Sequence, residues 1–188
     1  MRVQDGQIVL IGDSMVEYYE VDEYFDYDDV HVYNRGIAGE TSSEMLVRFK
    51  DDALDLKPHI LFIGIGTNDI ATKETDSTLA NIESAIKRAK EAGIEHILLS
   101  SLFPINTDIC AYLAPDINDV ISGMTSMYKM FALGMKVDFV DFYPHFRDDA
   151  GMMRRDLTYD GIHLSAKGYD IYTSILKPYI MKYLNDKH

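Results

Sequence analysis

Five short apolar runs alternate with segments of helical periodicity along this chain. The runs are continuous and rich in Ile, Val, Leu and Phe, which is typical of strands that are covered on both faces. They lie at Ile8–Ile11, Val30–Asn34, His59–Ile65, His96–Ser100 and Val137–Phe142. Alternating strands and helices indicate a parallel sheet between two helix layers, so we expect a three-layer α/β/α fold with a flavodoxin-like, five-stranded sheet.

Two helices are predicted in the first half of the chain. Thr41 and Glu44 form a capping box, which opens a helix that runs to about Asp51. Apolar residues at helical spacing predict a second helix over residues 77–92, and Gly93 follows as its stop. Each segment lies between two of the apolar runs, where the crossover helix of a parallel sheet belongs.

Two further helices are predicted in the second half of the chain. Pro115 is suited to start a long helix that runs to about Leu133 and stops at Gly134. Ser165 is suited to cap a last helix, which carries apolar and aromatic residues at helical spacing. Pro178 lies inside that segment, so we expect a bend or a break there.

Length and cysteine content bound the class of protein. The 188 residues predict one domain over 1–188, which is large enough to bury a core without disulfides or metals. Cys110 is the only cysteine, so no disulfide can form within the chain. The polar segment Met1–Gln7 precedes an apolar run that is too short for a signal peptide or a membrane span. We therefore expect a cytoplasmic protein.

The formal net charge of −13 argues against nucleic acid and anionic membranes as partners. The most acidic stretch, Glu17–Asp29, interleaves acids with aromatic residues such as Tyr18, Tyr24 and Tyr27. We interpret it as a solvated segment with aromatic anchors, and the functional alternatives are a cleft wall or a self-association surface. A homo-oligomer is therefore left open.

Residues that suit acyl transfer follow the predicted strands, at the sheet edge where the sites of such folds form. Ser14 follows the first strand and can supply a nucleophilic hydroxyl. Asp160 and His163 are three residues apart, so one tight turn brings an orienting acid and a base to the same side. Gly39 offers a backbone N–H that a ligand can approach closely, and Asn68 offers a carboxamide donor.

Four short motifs occur in an order that resembles the SGNH, or GDSL-type, hydrolase family. They are Gly12-Asp13-Ser14, the segment from Asn34 to Thr41, Gly66-Thr67-Asn68-Asp69 and Asp160-Gly161-Ile162-His163. The resemblance implies an esterase with Ser14 as nucleophile, His163 as base and Asp160 as its orienting acid. It further implies an oxyanion hole made of the Ser14 N–H, the Gly39 N–H and the Asn68 amide. A small-molecule ester is the implied substrate, and no cofactor is implied.

Neighbouring residues receive structural interpretations. Met15 stands where leucine is usual in the family, which concerns local packing rather than chemistry. We expect Asp13 and Asp69 to tether loops, Asn34 to brace the oxyanion loop, and Cys110 to be buried. Structural roles are also expected for the other histidines, His31, His59, His96, His145 and His188.

Several other enzyme classes lack their motifs. The Gly-x-Ser-x-Gly of larger α/β-hydrolases fails because Val16 stands at the place of the second glycine. The segment Gly64–Asp69 lacks the third glycine of a dinucleotide-binding loop, and no cluster of metal ligands at short spacing is present.

Two other functions stay open. An acyltransferase on the same fold would pass the acyl group to a sugar or another alcohol instead of water. A non-enzymatic phospho-receiver is the remoter alternative, because it shares the flavodoxin-like fold.

The acyl donor itself is not readable from the sequence, because specificity is expected to lie in the loops Val16–Val30 and Ser101–Pro115. We predict that soluble, uncharged esters from acetyl to about butyryl are preferred. A local apolar groove lined by Tyr18, Tyr19, Phe25 or Phe103 is the feature that could reverse that preference.

Overall fold

A parallel five-stranded sheet in the order β2-β1-β3-β4-β5 forms the centre of the computed structural model, which describes residues 7–25 and 30–185. The strands are β1 (Gln7–Gly12), β2 (His31–Gly36), β3 (Ile60–Gly64), β4 (His96–Ser100) and β5 (Asp138–Val140). All pairs are parallel, and Gly12 is in register with Gly36 on one side and with Gly64 on the other. The predicted fold class is confirmed. Tyr27, His188 and Met1 to Gly6 lie outside the described residues.

Helices connect the strands and cover the sheet. They are α1 (Ser14–Glu17), α2 (Val21–Tyr24), α3 (Ser42–Phe49), α4 (Thr67–Thr72), α5 (Thr75–Glu91), α6 (Ile117–Met135), α7 (Tyr143–Phe146) and α8 (Ala166–Asn185). A π-helical turn, Lys50–Leu54, continues α3, and a 3₁₀ turn, Arg155–Leu157, precedes α8.

The strands bury side chains on both faces, which produces two hydrophobic cores. On β1, Val9 and Ile11 face a core shared with α3, α5 and α6. Ile8 and Leu10 point to the opposite face, where α1 and α8 pack. This alternation explains why the strands read as continuous apolar runs, since every position of a doubly covered strand is buried.

Two predicted boundaries in the second half are wrong. Gly134 does not stop α6, which continues to Met135 and ends at Lys136 in the left-handed conformation. The strand predicted over Val137–Phe142 is shorter, because the backbone N–H groups of Phe142 and Tyr143 donate to the Ser101 hydroxyl instead of extending the ladder.

Pro178 lies inside α8, and the helix continues past it to Asn185, so the expected break does not occur. Within residues 7–25 and 30–185, no helix combines the length and the apolar character that crossing a membrane requires.

Candidate active site

Ser14 lies at the carboxyl end of β1, directly after a tight packing point. A Cβ atom on Gly12 would lie 1.9 Å from the Gly64 carbonyl oxygen, so only glycine fits where β1 and β3 meet. Asp13 caps α1, and its Oδ1 accepts the Met15 N–H at 3.0 Å. Ser14 is therefore the first residue of a helix, and it lines a cavity at this end of the sheet.

Ser14, His163 and Asp160 form a continuous chain of hydrogen bonds. His163 Nε2 lies 3.0 Å from Ser14 Oγ, and its Nδ1 lies 2.6 Å from Asp160 Oδ2. The other carboxylate oxygen of Asp160 accepts the backbone N–H groups of Ile162 and His163 at 2.9 and 2.7 Å. Partial burial tends to raise the pKa of Asp160, but these hydrogen bonds outweigh it and lower the pKa, so the carboxylate is ionised at neutral pH.

The loop after β2 carries Gly39, whose φ of +81° is a conformation that favours glycine. Two acids hold this loop in place: Glu17 Oε2, from α1, accepts the Ala38 N–H at 2.6 Å, and Glu40, within the loop, pairs with Arg48 through both carboxylate oxygens. The Gly39 N–H has no acceptor within the described part of the chain. It therefore lies at the cavity as an unused donor.

Asn68 comes from α4 and reaches the same loop. Its Nδ2 donates to the backbone carbonyl of Glu40 at 2.9 Å, which uses one of the two amide hydrogens. Asn68 also lines the cavity together with Ser14 and Gly39. The structure thus brings together all five residues that the sequence analysis selected.

Two buried acids lie beneath the site, as the sequence analysis expected of loop tethers. Asp69 is 1% exposed and accepts hydrogen bonds from the Ser42 N–H and hydroxyl and from the Thr78 hydroxyl. The pKa of Asp13 is raised to about 7, chiefly by burial; the Met15 N–H lowers it, and the nearby charges of Asp69 and Glu40 add to the rise.

Two tyrosine rings flank the imidazole of His163. The Tyr18 ring meets it edge-on, with centroids 5.2 Å apart, and the Tyr159 ring stacks on it at 5.9 Å with an interplanar angle of 20°. Both rings keep solvent-accessible surface, 41% for Tyr18 and 62% for Tyr159. Partial burial, and then the charge of Asp160, raises the pKa of Tyr159, so its phenol is neutral at pH 7.

The cavity beside Ser14 has a volume of about 460 Å³, which is within the usual range of small-molecule sites. Its walls away from Ser14 are mostly apolar and include Phe103, Pro104, Ile105, Tyr112, Leu113, Ile117 and Ile162. None of the described residues that line it is a lysine or an arginine. Tyr18 and Phe103 border the cavity as foreseen, but Tyr19 and Phe25 do not, because both are buried in the core beneath α8.

Some supporting residues do more than the sequence analysis expected, and others were missed. Asn34 donates to the carbonyls of Val16 and Tyr19, and its Oδ1 accepts the Gly36 N–H, so it braces the segment after α1 as well as the start of the oxyanion loop. Asn106 was not selected. Its N–H donates to the Gly161 carbonyl at 2.8 Å and ties the loop after β4 to the His163 loop.

Arg48 and Tyr159 were also missed, because their contacts with Glu40 and His163 depend on how the oxyanion loop and the His163 loop fold. Across the described ranges, no group of three or more His, Cys, Asp or Glu side chains is arranged to hold a metal ion.

Two differently named proteins match most of this chain. N-acylneuraminate cytidylyltransferase of Escherichia coli is 28% identical over 172 residues, which are 88% of this chain but only 38% of that protein. Platelet-activating factor acetylhydrolase IB subunit alpha1 of Rattus norvegicus is 24% identical over 174 residues, 88% of this chain and 71% of the relative.

Among solved structures, a GDSL-like lipase from Bacteroides thetaiotaomicron superposes with a TM-score of 0.83 at 27% identity. The superposition covers 95% of this chain and 89% of that one. The family model of GDSL-like lipases and acylhydrolases matches residues 10–171, which are most of the sequence. The chain therefore belongs to the GDSL-like lipase/acylhydrolase family.

Proposed function

We propose that this protein is a serine esterase in which Ser14 attacks the ester carbonyl. The observation that carries the proposal is the unbroken chain from Ser14 Oγ through His163 to Asp160, with contacts of 3.0 and 2.6 Å. His163 Nε2 takes the hydroxyl proton as the bond from Ser14 Oγ to the carbonyl carbon forms. The Asp160 carboxylate holds the ring by accepting the Nδ1 hydrogen and stabilises the imidazolium that results.

The negative charge on the carbonyl oxygen needs donors that are already in position. We assign this role to the Ser14 N–H, the Gly39 N–H and the second hydrogen of the Asn68 amide. Ser14 is the first residue of α1, and N–H groups in the first turn have no acceptor within their helix. Collapse of the intermediate breaks the bond to the alcohol, and His163 returns its proton to the leaving oxygen. Water then releases the acyl group by the same steps in reverse.

The substrates we propose are uncharged esters with short acyl chains, from acetyl to about butyryl. The apolar walls suit an alkyl group, and the absence of lysine and arginine from the lining leaves no partner for an anionic substrate. The rat relative is an acetylhydrolase by name, which agrees with a short acyl group.

Labelling with a fluorophosphonate probe tests the nucleophile. We expect one label per chain, on Ser14, because a hydroxyl with a positioned base is reactive toward this reagent. Ser14→Ala should lose both labelling and ester hydrolysis. Ser126→Ala, which removes an exposed hydroxyl on α6, should lose neither. Labelling of another serine in the wild-type protein would contradict the proposal.

Acyl transfer to an alcohol would share every step up to the acyl-enzyme. Product analysis with and without an added alcohol acceptor separates the two outcomes. The receiver alternative is disfavoured, because Gly64 to Gly66 stand at the end of β3, and Asp69 beyond them is buried and fully engaged in hydrogen bonds.

A further inference from the structure

We propose that Tyr18 and Tyr159 form the subsite for the leaving alcohol, and that this alcohol is uncharged and carries a six-membered ring. The inference rests on the proposed function, since it needs His163 to protonate the departing oxygen. It concerns the half of the substrate that the acyl-binding walls do not contact.

The geometry of the proton transfer locates the alcohol. When the carbonyl C–O bond breaks, its electron pair stays on the alcohol oxygen, which takes the proton from His163 Nε2. That oxygen must therefore lie within about 2.6–3.2 Å of Nε2. The first carbon atoms of the alcohol consequently lie next to the imidazole, whose ring contacts both Tyr18 and Tyr159.

The rings are available for such a contact. Tyr18 and Tyr159 remain 41% and 62% exposed although both contact His163, so each keeps surface that a ligand can contact. Tyr18 lines the cavity, and Tyr159 shares the turn that contains Asp160. Two partly free aromatic surfaces suit the face or edge of another ring, and such contacts contribute to binding beyond area alone.

Charge decides which ring-bearing alcohols fit. His163 is positive at the moment it protonates the leaving oxygen, so a cationic alcohol would be repelled there. An anionic alcohol has no arginine or lysine partner in the lining, and the chain carries a net charge of −13. A neutral alcohol meets both constraints, and the two tyrosine rings favour one that carries a ring.

Acetate esters that differ only in the alcohol test the proposal. Cyclohexyl and isopropyl acetate both release a secondary alcohol, so their kcat/KM ratio isolates the contribution of the ring. In the double variant Tyr18→Leu/Tyr159→Leu we expect this ratio to fall by roughly tenfold, about threefold for each ring removed. The double variant Tyr18→Phe/Tyr159→Phe keeps both rings and should keep the ratio within about twofold of the wild-type value.

Other outcomes overturn the inference. An equal loss on both esters would mean that the rings only hold the histidine, and an unchanged ratio would mean that they bind nothing. Tyr112→Leu is the matched control, because Tyr112 lines the same cavity but has no described ring contact to His163. If the kcat/KM ratio falls as far in Tyr112→Leu as in the double leucine variant, the assignment is contradicted. A larger loss on acetylcholine than on cyclohexyl acetate would overturn the neutral class.

Two further substrates identify the kind of ring. A larger loss on phenyl acetate indicates an apolar ring, and a larger loss on a monoacetylated methyl pyranoside indicates a sugar; either supports the subsite. Fluorophosphonate labelling of Ser14 separates this test from the first proposal. If Ser14 is labelled and isopropyl acetate is hydrolysed, a constant ratio refutes only the alcohol subsite.

Discussion

The side chain of Asn68 donates a hydrogen bond to the backbone carbonyl of Glu40, with an Nδ2–O distance of 2.9 Å. One amide hydrogen thus holds the loop that presents Gly39, and the other is left for the cavity. Asn68 combines two tasks, since it fixes one proposed oxyanion donor and supplies another. No other proposed donor can be removed by changing a side chain, because the remaining two are backbone N–H groups.

Asn68→Ala should therefore lower kcat by about 10²- to 10³-fold with little change in KM, because the donor acts mainly on charge that develops in the transition state. Steady-state kinetics on a soluble acetate ester measures this. Thr72→Ala, on the same helix, removes only hydrogen bonds to the backbone carbonyls of Asn68 and Asp69 and should keep kcat within a few-fold. A raised KM at unchanged kcat would contradict an oxyanion role.

His163→Ala should lower kcat by about 10⁴-fold or more, because the histidine carries the proton in both half-reactions. Asp160→Ala should cost the same or less, since the aspartate only orients and stabilises the ring. His145→Ala, on the exposed side of α7, serves as the control and should retain activity. A larger loss for Asp160→Ala than for His163→Ala would reverse the assigned roles.

Asp13 should make the stability of the fold depend on pH. Its pKa of about 7 in the folded state exceeds the unfolded value of 3.8, so between these pH values the folded state holds a proton that the unfolded chain releases. The free energy of unfolding therefore falls as the pH rises from about 4 to about 7.

Asp13→Asn keeps the acceptor for the Met15 N–H but cannot ionise. We expect it to be more stable than the wild type by roughly 2–4 kcal/mol at pH 8, with the difference vanishing toward pH 4. Urea unfolding of both proteins across this range measures the effect. Asp76→Asn, which alters an exposed acid at the start of α5, should show no such pH-dependent gain.

Acyl-chain preference should follow the cavity. On p-nitrophenyl esters of two to twelve carbons, kept below the micelle threshold, kcat/KM should be highest between acetate and butyrate. Leu113→Phe enlarges a half-buried lining side chain and should reduce butyrate turnover more than acetate turnover. A rate that keeps rising beyond eight carbons in the wild-type protein would mean that the acyl site is longer than we propose.

The sequence was informative where local pattern decides structure. β4 spans His96–Ser100 as predicted. Its central residues are apolar because both faces of the strand are covered, and the two polar residues stand at its ends. The position of Ser14 follows from a motif at the end of a strand, where sites of parallel sheets form, and that of His163 from the short spacing between Asp160 and His163.

Tertiary contacts decide the remaining features. The pairing of Arg48 with Glu40 and the link from Asn106 to Gly161 join residues that no local pattern relates. The stacking of Tyr159 on His163 depends on how the intervening turn folds. α8 likewise continues through Pro178, where a propensity argument predicts interruption.

Ser14 and His163 are 149 residues apart, one after the first strand and the other just before the last helix. On the proposed mechanism, a ribosome must release nearly all of this domain before any ester can be cleaved. Ser14 leaves the ribosome early, but without His163 beside it the hydroxyl is not activated. It therefore reacts neither with esters nor with electrophiles. Fluorophosphonate labelling of Ser14 therefore reports whether folding is complete, and it can be measured on ribosome-stalled chains of increasing length.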